Sequence, residues 1–137
     1  MFEIVIATHG KLAYGFLDAL EMLFGEVNHI HAMSLTKEGI HEFSEEVNKL
    51  TTELKEKDTM VFTDIIGGTP FNEFAKRIEE WQGNIKLIGG TNLPVLVETI
   101  TLLQQGATLL EIPQKIESIG KISYLEDLSK NIKEEDE

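Results

Sequence analysis

The chain has 137 residues, enough for one domain with its own core, and 42% of them are hydrophobic, which excludes wholesale disorder. It has no cysteine, which excludes disulfides, thiolate metal sites and cysteine nucleophiles. Against 24 acidic residues stand 12 basic ones, a net charge of −12 that disfavours nucleic acid as a partner.

No apolar run nears the roughly 20 residues that cross a bilayer, and the N-terminus does not read as a leader. The expectation is a single soluble, cytoplasmic domain over residues 1–137, ending in an acidic, solvated tail from about 126.

Phe2 to Ala7 reads as a first strand, apolar enough to be buried on both faces. In KLAYGFLDALEMLFG, Leu12, Phe16, Leu20 and Leu23 recur at helical spacing, Ala13 and Leu17 widen the stripe, and Gly25 is a stop. Ile30 to Leu35 is a second strand. Ile40, Phe43, Val47, Leu50 and Leu54 mark a second helix, and Thr59 to Ile65 a third strand. GGTP then leads into FNEFAKRIEEW as a third helix, with Thr69 as its cap and Pro70 in its first turn. Asn84 to Ile88 is a fourth strand, followed by GGTN and a fourth helix, LPVLVETITLLQQ. Thr108 to Ile119 has helical spacing, provided Pro113 lies in the first turn. KISYL, 121–125, reads as one more short strand, pairing on its own sheet or on a second subunit.

Strands alternating with helices through short loops imply an α/β fold: a doubly wound, mainly parallel sheet with helices on both faces. Function in such folds gathers where strands end and helices begin. Three glycine-containing loops fall on that edge: THG at 8–10, DIIGGTP at 64–70 and GGTN at 89–92.

His9 ends strand one and Asp64 ends strand three. With strands one and three adjacent, in the order 2-1-3-4, their ends lie about 5 Å apart and the two side chains meet. A carboxylate on one imidazole nitrogen fixes the tautomer and leaves the other nitrogen a basic, nucleophilic lone pair. That suits a general base, a metal ligand or a phosphoryl acceptor. His29, His31 and His41 do not cluster with His9 in sequence, so no metal site is read, and no G-x-S-x-G elbow marks a serine hydrolase. The Gly67–Gly68 amides, the Thr69 hydroxyl and a helix start favour an anion, so the phosphoryl acceptor fits best. No nucleotide loop follows strand one, so the phosphoryl group arrives on another protein or a small molecule.

ATHG at 7–10, TDIIGGTPFN at 63–72 and GGTNLPVLVET at 89–99 resemble the mannose-type IIA proteins of the bacterial phosphoenolpyruvate-dependent sugar phosphotransferase system (PTS), over roughly residues 2–125. The resemblance implies that His9 accepts a phosphoryl group through Nε2 from the carrier protein HPr. It then passes the group to a separate IIB protein, which serves sugar uptake through the membrane components IIC and IID. It implies that Asp64 orients the imidazole, that Thr69, Gly67 and Gly68 surround the phosphate, and that no metal or cofactor is needed. It also implies a homodimer that exchanges a C-terminal antiparallel strand, for which KISYL is the candidate. Phe71 beside Pro70 is either part of the docking face for HPr and IIB or ordinary core.

Three rivals share the fold. The phosphotransfer subunit of dihydroxyacetone kinase also uses an acceptor histidine, but GGTPFN favours the sugar system. A receiver-like signalling module wants an acidic pair after strand one, where Thr8 and His9 stand. A flavodoxin-like protein wants a hydroxyl-rich phosphate loop there, and THGK is a poor match.

Overall fold

In the computed structural model, which describes residues 1–128, strand β1 runs from Glu3 to His9 and is buried along its length until His9. Successive side chains point to opposite faces of a sheet, so Ile4 and Ile6 enter one apolar cluster while Val5 and Ala7 enter another. The unbroken apolar run follows from that two-sided burial.

Helix α1 (Leu12–Phe24), β2 (Ile30–Leu35), α2 (Ile40–Leu54), β3 (Thr59–Thr63), α3 (Thr69–Ala75), β4 (Ile85–Ile88), α4 (Leu93–Gln104) and α5 (Ile112–Ile116) follow in order. Single turns of 3-10 helix occupy Ile78–Glu80 and Leu109–Glu111. The four strands form one parallel sheet in the expected order β2-β1-β3-β4. Leu20 of α1, Leu96 and Ile100 of α4 and Ile112 of α5 pack with Ile4, Ile6 and Phe62 on one face. Phe43 and Val47 of α2 and Phe74 of α3 pack with Val5 and Val61 on the other. The chain goes from β1 outward to β2, then crosses back to β3. The strand ends where that reversal occurs, β1 and β3, bound the crevice in which ligands of such sheets bind.

Several local expectations are corrected. The apolar stripe of α1 is narrower than read: Ala13 and Leu20 are buried and Phe16 and Phe24 pack beside them, whereas Leu12 and Leu23 are exposed. At 3.6 residues per turn those two leucines share one flank, about 60–80° from Leu20. The third helix ends at Ala75 instead of reaching Trp81. Arg77 leaves the helix at φ −112° and turns its guanidinium inward, donating to Asn48 Oδ1 at 2.7 Å and Ser44 Oγ at 3.0 Å on α2. Trp81 belongs to the core, and its indole N–H donates to the Lys57 carbonyl at 3.2 Å. Pro113 sits in the first turn of α5, the one helical place that tolerates it.

KISYL is not a strand in this chain. Residues 121–124 have no regular structure and 125–128 are helical. The reason is local capping: the Tyr124 N–H donates to Asp127 Oδ2 at 3.0 Å while the Asp127 N–H donates to the Tyr124 carbonyl, closing a helical turn. Among the described residues there is no antiparallel strand and β4 lies at an open edge. Of the expected acidic tail, 126–128 belong to this turn, and 129–137 lie outside the described residues.

Candidate active site

His9 owes its position to the turn between β1 and α1. Thr8 is fully buried, and its hydroxyl accepts the Ala13 N–H at 2.7 Å, so a strand residue supplies the capping bond of α1. Gly10 takes φ +57°, a conformation that favours glycine, and its N–H donates to the Leu35 carbonyl of β2 at 2.8 Å. His9, between these two fixed points, stands at the rim with a side chain 44% exposed.

Asp64 follows the last residue of β3 and reaches His9 as expected. Its Oδ2 lies 2.9 Å from His9 Nδ1 and also accepts the His9 backbone N–H at 3.1 Å. Its Oδ1 accepts the Ile65 N–H at 3.1 Å. Three donors thus converge on one carboxylate. Burial works to raise the Asp64 pKa, but the hydrogen bonds from the His9 ring and backbone and the His9 charge outweigh it and hold the carboxyl below its usual value. The anion in turn keeps the proton on Nδ1. No group among the described residues hydrogen-bonds Nε2, so that nitrogen presents its lone pair to solvent.

The 64–70 loop wraps one side of the ring. Gly68 is close enough that a Cβ there would lie 3.1 Å from His9 Cε1. Asn72 donates from its side chain to the Gly67 carbonyl at 2.9 Å and braces the loop. Thr69 is not the cap of α3: Gly68, at φ −74° and ψ 172°, holds that place and Thr69 takes the first helical position. No hydrogen bond among the described residues engages the Thr69 hydroxyl, which keeps it available beside the loop amides. Pro70 is buried, so it starts the helix and offers no docking surface, and Phe71 is half-buried. The exposed apolar side chains of this loop are Ile65 and Ile66. The sequence placed Ile65 inside β3, and only the end of the strand at Thr63 turns both isoleucines outward.

The remaining histidines lie elsewhere. His29 and His31 flank the buried Glu3 at the opposite edge of the sheet, with His29 Nδ1 at 2.8 Å from its Oε2. His41 pairs with Glu45 on the exposed face of α2. Among the described residues no three histidine, aspartate or glutamate side chains are grouped to hold a metal ion, and no helix is long and apolar enough to cross a membrane.

Known proteins resemble this chain over most of its length. Residues 3–117 match the family described as the PTS system fructose IIA component. The chain is 30% identical over 126 residues to the fructose-specific EIIA component of Bacillus subtilis (strain 168), spanning 90% of this chain and 85% of that protein. It is 28% identical over 141 residues to the sorbose-specific EIIA component of Lacticaseibacillus casei, spanning 98% and 99%. Among solved structures, the PTS IIA protein associated with the fucose utilization operon from Streptococcus pneumoniae matches with a TM-score of 0.76 at 28% identity, over 92% of this chain and 95% of that one.

Proposed function

The chain belongs to the family of PTS fructose IIA components, and on that premise we propose that His9 takes a phosphoryl group from phospho-HPr on Nε2 and hands it to a IIB protein. Members of this family are phosphotransferases that work through a phosphohistidine intermediate, and this chain is one of them. The observation that carries the assignment to His9 is the 2.9 Å pairing of its Nδ1 with Asp64 at the β1/β3 reversal, with the ring half in solvent.

In the transfer step the Nε2 lone pair attacks the phosphorus of the donor's phosphohistidine. One N–P bond forms as the other breaks, and its electron pair returns to the donor imidazole. The Nδ1 proton stays on the Asp64 hydrogen bond throughout, and the carboxylate offsets the positive charge that grows on the ring. The Gly67 amide and the Thr69 hydroxyl are the groups we assign to the phosphoryl oxygens, with the Gly68 N–H, which donates to the Ile65 carbonyl at 3.2 Å, turning to join them when the group arrives. Because imidazole is exchanged for imidazole, alignment supplies most of the catalysis. IIB then accepts the group by the same step in reverse, and the membrane components IIC and IID enter only through IIB.

Donor and acceptor must both reach Nε2 across an open rim. Ile65 and Ile66, exposed beside it, replace Pro70 and Phe71 as the docking side chains in this reading. We also assign all of 1–137 to one IIA unit that works as a homodimer. What supports the dimer is the open edge of β4 together with exposed Ile122, Tyr124 and Leu125 on the segment that follows α5. Sedimentation with and without residues beyond 120 tests the exchange.

The test of the pathway uses phosphoenolpyruvate, enzyme I and HPr to charge the chain, followed by IIB or the subunits of a dihydroxyacetone kinase. HPr-dependent charging with discharge to IIB supports the proposal. Discharge only to the kinase replaces it with the alternative phosphotransfer role. Failure to charge with an active HPr control contradicts both.

A further inference from the structure

The two glycines after β4 serve different purposes. Gly90 has φ +73° and a Cβ there would meet nothing within 4 Å, so its reason is backbone conformation. At Gly89 no left-handed conformation is required. A Cβ there would lie 2.5 Å from both Cα and Cβ of Ile66 and 2.8 Å from its backbone nitrogen. Those are atoms that cannot rotate away. The missing side chain of Gly89 is therefore the seat on which the 64–68 loop rests.

That loop has the His9 ring on its other side. Asp64 opens it with the carboxylate on Nδ1, and Gly68 closes it against Cε1. The Gly89 turn itself is tied to β3. The Thr63 hydroxyl donates to the Ile88 carbonyl at 2.7 Å and the Thr91 N–H to the Thr63 carbonyl at 3.0 Å, while the Gly90 N–H donates to the carbonyl of Asp64, the first residue of the loop, at 3.1 Å. A clash at Gly89 is consequently relieved by moving the loop, not the turn. Reaching an ordinary contact of 3.4 Å from 2.5 Å shifts Ile66 by about 1 Å.

We propose that Gly89 is a positioning residue for phosphoryl transfer: its absent Cβ sets the height of the 64–68 loop and so the alignment of Asp64 and Gly68 on His9. The inference rests on the reading of His9 as the acceptor. A displacement of this size near a reacting atom lowers turnover by ~10²-fold. The variant Gly89→Ala tests it against the control Gly15→Ala, a helix position where a Cβ meets nothing. The measurements are single-turnover transfer from phospho-HPr and the 15N resonances of the His9 ring in the uncharged protein.

The expected result is a folded Gly89→Ala protein with turnover lowered about 10²-fold and His9 resonances moved, beside an unaltered Gly15→Ala. A folded Gly89→Ala protein with wild-type turnover and resonances overturns the proposal. If Gly89→Ala does not fold, Thr63→Val removes the side-chain tie between β3 and the turn. Shifted His9 resonances then support the proposal and unchanged ones overturn it. If wild-type protein accepts no phosphoryl group at all, the acceptor reading fails, while the ring resonances still judge whether Gly89 positions the pair.

Discussion

Replacing Asp64 by asparagine keeps the size of the side chain and removes its charge. In the native site both carboxylate oxygens face donors: the His9 ring and backbone N–H at Oδ2, and the Ile65 N–H at Oδ1. Asparagine has only one oxygen to offer. With that oxygen toward His9, its NH2 group meets the Ile65 N–H, donor against donor. With the amide reversed, the NH2 group faces His9, forces Nδ1 to accept and drives the ring proton to Nε2, which consumes the attacking lone pair. Either way the anion that stabilises the charged ring is gone. A hydrogen bond to a charged group is worth about 1.5–3 kcal/mol, and each 1.36 kcal/mol is tenfold in rate, so transfer slows by roughly 10- to 150-fold. Rapid-quench transfer from phospho-HPr measures the rate, and a denaturant midpoint confirms the fold. A folded Asp64→Asn protein that transfers within about twofold of wild type would refute the role given to the carboxylate.

Arg77→Met strands the Glu73 carboxylate, whose side chain is 4% exposed, with Lys76 at 2.6 Å as its remaining cation. Breaking a buried pair costs 3–5 kcal/mol, and Lys76 keeps the loss near about 3 kcal/mol, read from urea unfolding; a loss under about 1 kcal/mol contradicts it. Burial raises the Glu73 pKa, but hydrogen bonds from Lys76 and Ser44 and the charges of Lys76 and Arg77 outweigh it and depress the carboxyl below its ordinary 4.5. Its contribution is therefore complete above pH 4.5 and lost as pH falls through the lower folded value; Glu73→Gln is expected to be less stable at pH 7 and to show a shallower acid decline. Ile66→Ser removes an exposed side chain beside the acceptor nitrogen and is expected to raise the donor KM about fivefold or more at unchanged kcat, measured by steady-state transfer.

The parts of the fold set by period and punctuation were readable in advance. The two-faced burial of β1 and the loops at 8–10, 64–70 and 89–92 follow from apolar runs that end in glycine. The parallel sheet follows from the alternation of elements, and the order common in doubly wound sheets, with strands one and three adjacent, brings His9 to Asp64 across 55 residues. What escaped depends on contacts between distant elements. Nothing local says that Arg77 will leave α3 to bind Ser44 and Asn48, which shortens that helix. Thr69 looks like a cap until Gly68 is seen to adopt the extended conformation a cap needs. The end of β3 at Thr63 exposes Ile65 and Ile66, which a strand reading hides. Gly89 is indistinguishable from Gly90 in sequence; only the approach of Ile66 separates a glycine needed for space from one needed for φ. KISYL has the composition of a strand, but in the single chain Asp127 caps a helical turn from Tyr124.

The central claim is that the phosphoryl group resides on Nε2 of His9. The most direct measurement is the long-range 15N–1H correlation spectrum of the charged, 15N-labelled protein, with His9→Ala as its control. The account predicts one phosphorylated ring, absent from the variant, with phosphorus on Nε2 and the proton retained on Nδ1 toward Asp64. Phosphorus on Nδ1, or on His29, His31 or His41 in the wild-type protein, would contradict it.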